Sequence, residues 1–371
     1  MTQSVLVLGA GIAGASLAYW LSRSGRSVTL VEKSSGVRSS GSPVDVRGDA
    51  ARVTRAMGLE SRLAAADTGV VRAAFVDGHG RTRGVVRTRR TSDGDGPRDV
   101  EIARADLAEA LLDAARADAR IVLGDSIAGL RQDPSGVDVT FEYGRPARFD
   151  LVLGADGLHS TVRRLAFGPE QNYARPFGLY IGTLRTKLHI ADPAQALLYN
   201  EPNRLLAIHP AGGDPGAAFI FRWQGAYDND LETGRRLVET AYEGVGWLAP
   251  QLLKIWHTAN DVYFDAVTRI DLPKWATGRI ALVGDAASCL SLLGEGSSNA
   301  IVAGKTLADA LDTHPGDHAA AFASYERIHR TRIRRNSRGA AISAHFLVPA
   351  TRIGINLRNR ALSAAAAVHR R

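Results

Sequence analysis

The stretch Ser4-Val-Leu-Val-Leu8-Gly9-Ala-Gly11-Ile-Ala-Gly14 decides how the chain is read. The run up to Leu8, closed by glycine, predicts a buried strand; Ala15, Leu17, Ala18 and Leu21 follow at helical spacing, and Val28-Thr-Leu-Val-Glu32 predicts a second strand. Strand, glycine turn, helix and strand in about 30 residues make a βαβ unit. Gly9 allows the tight turn, Gly11 lets a pyrophosphate come against the backbone, and Gly14 lets helix and strand pack closely. The positive end of the helix then faces the phosphates. Glu32 stands 21 residues after Gly11, at the end of the second strand, where a carboxylate accepts hydrogen bonds from both ribose hydroxyls of an adenosine. A glycine-rich turn in another α/β fold is the blander reading. The full set of strand, helix, strand and terminal acid favours dinucleotide binding.

Two later segments repeat the theme. Leu153-Gly-Ala-Asp156-Gly157-Leu-His-Ser160-Thr-Val-Arg163 brings a strand to a glycine turn, with Ser160 placed to cap the next helix. Taken alone it is equally a capped strand-to-helix turn. Gly278-Arg-Ile-Ala-Leu-Val-Gly284-Asp285-Ala-Ala287 again ends a strand in Gly-Asp. The turn Gly294-Glu-Gly296 then precedes a helix whose free N–H groups suit an anion or a carbonyl oxygen. The apolar runs Leu151–Gly154 and Ile280–Gly284 predict buried strands that extend the first sheet.

Elsewhere the pattern changes. Val71 to Val86, interrupted by Asp77-Gly-His-Gly80, predicts a hairpin, and Arg87 to Arg98 a polar loop. Short β-like segments at Tyr180–Arg185, Leu205–His209, Ala218–Trp223 and Val262–Val267 predict an antiparallel sheet. From Gly296 to the end the pattern is helical, with breaks near Gly316 and Pro349. No internal repeat is present.

Taken in order, these motifs resemble the class A flavoprotein monooxygenases, the family with the para-hydroxybenzoate hydroxylase fold, over roughly residues 4–330 and within it the tetracycline-destroying and antibiotic-tailoring enzymes. The resemblance implies an α/β architecture: a Rossmann-like FAD-binding domain (1–72, 101–171 and 272–325), an inserted antiparallel-sheet substrate domain (73–100 and 172–271) and a C-terminal helical segment (326–371). It also implies cofactor-binding positions at Gly9, Gly11, Ala13, Gly14, Glu32, Lys33, Arg47, Arg104, Ile127, Asp156, Asp285, Gly294 and Gly296. The glycine triplet and Glu32 would hold the ADP half of FAD. Arg104, in Ile102-Ala-Arg104-x-x-Leu107, would contact the flavin cofactor, Asp156-Gly157 would serve FAD and NAD(P)H, Asp285 the ribityl chain, and the Gly294–Gly296 turn the flavin pyrimidine. In this reading the loop Gly41–Gly48 faces the isoalloxazine and Arg47 contacts the flavin or its pyrophosphate; a surface ion pair is its equal alternative.

Departures are visible. Ser288-Cys-Leu-Ser-Leu-Leu293 stands where the family carries a proline beside the isoalloxazine, and Glu295 where it carries a glutamine. In this family FAD is reduced by NADPH or NADH, and its reaction with O₂ gives a C4a-hydroperoxide that hydroxylates an electron-rich aromatic or polyketide-like substrate. No second glycine fingerprint or redox cysteine pair supports a two-Rossmann disulfide reductase. A flavin reductase on the same fold is the alternative. Substrate contacts are expected from the antiparallel sheet, which carries Tyr180, Leu198, Phe219, Phe221, Trp223 and Phe264, most of them core residues by default, and His209. No catalytic acid or base is assignable.

The chain has 371 residues, 45% hydrophobic and 23% charged, with a formal charge of +8 and a pI of about 9.9. These values fit a folded globular protein with room for two domains. The charge is not spread evenly. Residues 327–371 contain 11 Arg and no Lys, Asp or Glu, so the preceding body carries −3. With an acidic body and no nucleic-acid-binding motif, a nucleic-acid partner is not expected. The tail's Ile333, Ile342, Phe346, Leu347, Ile353, Leu357 and Leu362 suit an amphipathic helix docked on the body, an anionic membrane surface being the alternative. Cys289 alone excludes an intrachain disulfide and a thiolate metal cluster. No basic residue precedes Arg23, so no signal peptide is read, and no apolar run reaches a membrane span. A cytoplasmic monomer or homodimer without stable membrane insertion is expected.

Overall fold

The computed structural model describes residues 2–36, 43–88, 98–210, 214–225, 230–289, 296–336 and 339–368. Its first sheet has six strands, in the order Ala276–Thr277, Ile280–Leu282, Leu151–Gly154, Ser4–Leu8, Ser27–Glu32 and Arg120–Leu123. All neighbours are parallel except the first pair. Helices cover both faces, so the strands are buried on both sides and need uninterrupted apolar residues; Val5, Leu6 and Val7 are each 0% exposed. The runs at Leu151 and Ile280 join this sheet as their composition predicts.

The helices Ile12–Arg23 and Gly296–Thr313 lie against one another where Gly304 removes a side chain. A Cβ there would stand 2.7 Å from the Leu17 nitrogen. The Ser16 hydroxyl donates to the Ile301 carbonyl at 2.9 Å across the same seam. Close backbone approach therefore brings the start of the Gly296 helix toward the Gly9–Gly14 turn.

The second sheet has seven strands: Val262–Ile270, Ala174–Arg185, Gly216–Arg222, Arg204–His209, Gln195–Glu201, Arg72–Val76 and Thr82–Arg87. The 72–87 hairpin forms where Asp77 predicts it: the carboxylate accepts from the backbone N–H groups of His79 and Arg81 at 2.9 and 3.0 Å. The hairpin enters from a distant part of the chain, and its pairing with Gln195–Glu201 is parallel in an otherwise antiparallel sheet.

Period-two alternation divides this sheet into two faces. Tyr180, Phe219, Phe221 and Phe264 pack with Tyr242 and Trp256 of the helices Leu231–Tyr242 and Ala249–Thr258. Leu179, Leu205, Ile220 and Val267 form a separate cluster with Ala344 and Val348.

The tail is helical over His318–Asn336, Ala340–Leu347 and Arg352–Val368, with breaks at Gly316 and Pro349 as predicted. The first of these helices packs on Gly296–Thr313 and the core of the first sheet, and the last two dock on the second sheet through the Ala344 and Val348 cluster and through polar groups. Arg222 Nη2 donates to the Val348 and Ala344 carbonyls at 3.2 and 3.4 Å, and Asn203 N–H to the Pro349 carbonyl at 2.9 Å. Arg358, 9% exposed, places its guanidinium carbon 3.7 Å from the Phe75 ring centre and donates to Asn200 Oδ1 at 2.9 Å. Burial pushes the Arg358 guanidinium down to about 10. The apolar residues expected to make this contact divide: Ile333, Leu347 and Leu362 are half-buried, whereas Ile342, Phe346, Ile353 and Leu357 are exposed.

Candidate functional site

The three glycines do what their spacing requires. Gly9 has φ +98°, the left-handed region, and a Cβ there would lie 2.5 Å from the Ala155 oxygen. A Cβ on Gly14 would lie 1.8 Å from the Gly9 oxygen. Gly11 differs: a Cβ there would meet nothing within 4 Å. The ledge at Gly11, directly before the Ile12 helix, is open to an incoming anion. Glu32 Oε2 accepts from the Ala10 N–H and Oε1 from the Ser34 N–H, both at 2.9 Å, which fixes the carboxylate beside the ledge with lone pairs to spare. A cavity of about 170 Å³ adjoins, lined by Gly11, Glu32, Arg104, Ala108, Leu112 and Leu123. Lys33 is exposed next to it.

Arg104 opens the helix Arg104–Arg116 and joins this cavity to the Gly284–Asp285 turn. Gly284 has φ +62°, and a Cβ on it would stand 2.7 Å from the Ala13 Cβ, so two separated motifs meet at Ala13. Burial pushes the Asp285 carboxyl up, while the Arg104 charge and a hydrogen bond from Cys289 draw it down. The segment Pro43–Val46 pairs with Val100–Ala103 and leads to Arg47. Ser297 and Ser298 hydroxyls both donate to the Asp45 carbonyl, at 2.7 and 2.9 Å, and the Arg47 N–H donates to Ser298 Oγ at 3.1 Å. Arg47 itself pairs with Asp45 at 2.7 Å. Gly296 begins its helix in open space; Gly294, Glu295 and the segment Leu290–Leu293 lie outside the described residues.

Two candidates are occupied locally. Asp156 accepts from the Ser160 hydroxyl and from the Val162 N–H at 3.0 Å, and burial pushes its carboxyl up. Ser160 caps the helix Thr161–Ala166, as predicted, by accepting from the Arg163 N–H at 2.9 Å. The Ile127 side chain is buried in the core, 1% exposed.

Sequence reading missed the polar cluster behind this turn. Arg163, fully buried, donates to the Ala286 carbonyl at 3.0 Å and to Glu170 at 2.6 Å, tying the Asp156 turn to the Asp285 turn. His159 lies between Glu170 and Asp265 at 2.9 and 3.1 Å, and the Tyr263 hydroxyl donates to the same Asp265 oxygen at 3.0 Å. Hydrogen bonds to the two carboxylates raise the imidazole to about 10. The spacing Ser160-x-x-Arg163 was the only signal of Arg163; the carboxylates come from elements that sequence spacing does not relate.

The sheet's two faces sort the expected substrate contacts, with the core default holding for most of the aromatic residues. Tyr180, Phe219, Phe221 and Phe264 are turned toward the covering helices. The opposite face carries Ile181, Ala218, His209, Tyr263 and Asp265 by strand alternation, and Tyr263 is 41% exposed. His209 Nε2 stands 2.9 Å from Glu101 Oε1, on the strand that leads to Arg104.

A sheet whose glycine turn, terminal acid, arginine and second Gly-Asp turn converge in this way defines a nucleotide-binding flavoprotein fold. The chain belongs to the FAD-binding domain family that its residues 2–338 match. It is 37% identical over 349 residues to an uncharacterised protein of Mycobacterium tuberculosis, covering 90% of this chain and 91% of the relative. It is 34% identical over 355 residues to a flavin-dependent monooxygenase of Legionella longbeachae, covering 93% and 90%. The solved structure of the tetracycline destructase Tet(55) superposes with a TM-score of 0.83 at 31% identity, over 98% of this chain and 95% of that one. The protein is a class A FAD monooxygenase by family.

Proposed function

We propose that the protein hydroxylates an aromatic or polyketide-like small molecule with FAD, NAD(P)H and O₂, in the cytoplasm. The open Gly11 ledge beside Glu32, continued by Arg104 toward Asp285, is the observation that supports this reading most. A cofactor carrying a ribose, a pyrophosphate and a flavin fits this donor set: carboxylates for hydroxyls, free N–H groups for phosphate and arginine for the flavin end. In the proposal Gly9, Gly11, Ala13 and Gly14 hold the pyrophosphate and Glu32 the adenosine ribose, with Lys33 and the backbone of Ile127 at the adenosine end. Arg47, Arg104, Gly294 and Gly296 serve the flavin and Asp285 its ribityl chain. Asp156 serves through the turn it caps, at the side where NAD(P)H enters. The first sheet then carries the cofactor and the second sheet the substrate, the division expected from the sequence.

Bound FAD, once reduced by NAD(P)H, would supply the oxygen activation. The chain supplies binding, orientation and exclusion of water. Substrate is placed on the face of Ile181, Ala218, His209 and Tyr263, and the buried Arg163 keeps the two acidic turns at fixed separation. The set of polar groups needed for acid–base work is small, because an activated phenol or enol accepts electrophilic oxygen without a protein base. Oxygen uptake with NADPH or NADH across a panel of phenols and polyketides, followed by product mass, tests the reading. The expected product is heavier by one oxygen atom. Turnover under nitrogen with no oxygen gained would replace the monooxygenase with a flavin reductase.

A further inference from the structure

The outer face of the C-terminal helices carries apolar side chains that the fold leaves in water. Ile342 is 75% exposed, Ile353 71% and Leu357 61%, whereas Phe346 turns its ring edge-on to Phe75, 5.9 Å between centres. Ile353 and Leu357 are four residues apart on Arg352–Val368 and share one helix face, and Ile342 stands on the neighbouring helix Ala340–Leu347. The docked face of the terminal helix is a different one. It is formed by Arg358, Leu362 and Ser363, with Leu362 against Gly84 and the Ser363 hydroxyl donating to the Arg83 carbonyl at 2.7 Å. Arg358 Nη1 also donates to the Phe346 carbonyl at 2.8 Å, which joins the two helices side by side.

The rim of this face is basic. Arg352 and Arg360, both on the terminal helix, are exposed, Arg352 keeping Glu201 at 3.7 Å, and no acidic residue occurs between Arg327 and Arg371. A second copy meeting this face about a two-fold axis would set two such arginine rims against each other with no carboxylate of the tail to pair them. An anionic lipid surface satisfies both halves: apolar side chains enter the boundary between headgroups and acyl chains, and arginines meet lipid phosphates. No helix among the described residues is long and apolar enough to cross a membrane, so the contact is peripheral.

We propose that the outer face of residues 340–364 docks the protein on anionic bilayers, with the Arg352–Val368 helix lying in the plane of the interface. The inference stands apart from the identity of the substrate.

Cosedimentation of the full-length, FAD-loaded protein with phosphatidylcholine vesicles, with and without phosphatidylglycerol, tests it. Binding to the phosphatidylglycerol vesicles, weakened by added salt, is expected. Ile353→Ser with Leu357→Ser should lower the partition coefficient at least about tenfold, and Arg352→Gln with Arg360→Gln by a similar factor. All four side chains are exposed, so flavin content and melting temperature should match the parent; Ile342→Ser on the neighbouring helix is an independent variant with the same expected direction. Absence of binding to phosphatidylglycerol vesicles at low salt, or undiminished binding of the apolar double variant, overturns the proposal. So does a concentration-dependent dimer in sedimentation velocity that the double variant abolishes, since the face then covers a second copy.

Discussion

Glu32 holds two backbone N–H groups and keeps lone pairs for a ligand, so its removal should be felt in both stability and binding. Glu32→Ala is expected to cost roughly 1–3 kcal/mol of stability through two unpaired donors, and to weaken FAD binding by roughly 10–100-fold. Denaturant unfolding and a flavin titration separate the two effects. Gly14→Ala acts differently. A methyl group 1.8 Å from the Gly9 oxygen forces helix and strand apart, and a loss on the order of 3 kcal/mol is expected in the same unfolding experiment. His159 gives a pH signature. Its folded pKa, about 10, lies above its ordinary value, so its contribution is complete below about pH 6.5 and disappears as pH rises through 10. Melting curves from pH 6 to about 10 should converge for the parent and His159→Gln at the alkaline end; a constant difference would show that the imidazolium contributes nothing.

At the scale of elements, the legible parts of the sequence were those where one short segment determines its own geometry. The Ser4–Glu32 unit, the Asp77 hairpin and the Ser160 cap each follow from local spacing and local hydrogen bonding. What the sequence concealed depends on contacts between distant segments. The parallel pairing of Gln195–Glu201 with Arg72–Val76 and the bridging of Glu170 to Asp265 by His159 join elements far apart in the chain. The aromatic residues of the second sheet were visible as a set, but their facing was not, because alternation alone does not say which face the helices cover. The terminal helix makes the same point: its apolar pattern suggested the docked face, yet a buried arginine over Phe75 and a glycine at 84 define it. Arg358→Met should lower stability by about 2–4 kcal/mol, because two carbonyl and amide partners and the ring face lose their cation together. Gly84→Val should act in the same direction, since its Cβ alone would stand 3.0 Å from Leu362 Cβ. Chemical denaturation checks both.

For the whole molecule, the excess charge that points to a polyanion partner resides in a tail that is built into the fold. Truncation after Val348 removes Arg358 from Asn200 and Ser363 from Arg83, and it should lower the thermal midpoint by roughly 5–10 °C. An unchanged midpoint would mean that the terminal helix is an appendage. The body, by contrast, is organised around one ledge of backbone, to which the first glycine turn, the carboxylate at the end of the second strand and the start of the Arg104 helix all contribute. Titration of FAD-free protein with FAD, followed by flavin fluorescence, tests that organisation most directly when the parent is compared with Gly11→Leu. The account predicts saturable one-to-one binding by the parent and at least about tenfold weaker binding by the variant, with the unliganded melting temperature unchanged because the space above Gly11 is open. A parent protein that takes up no flavin, or a Gly11→Leu variant that binds it equally well, would contradict the account.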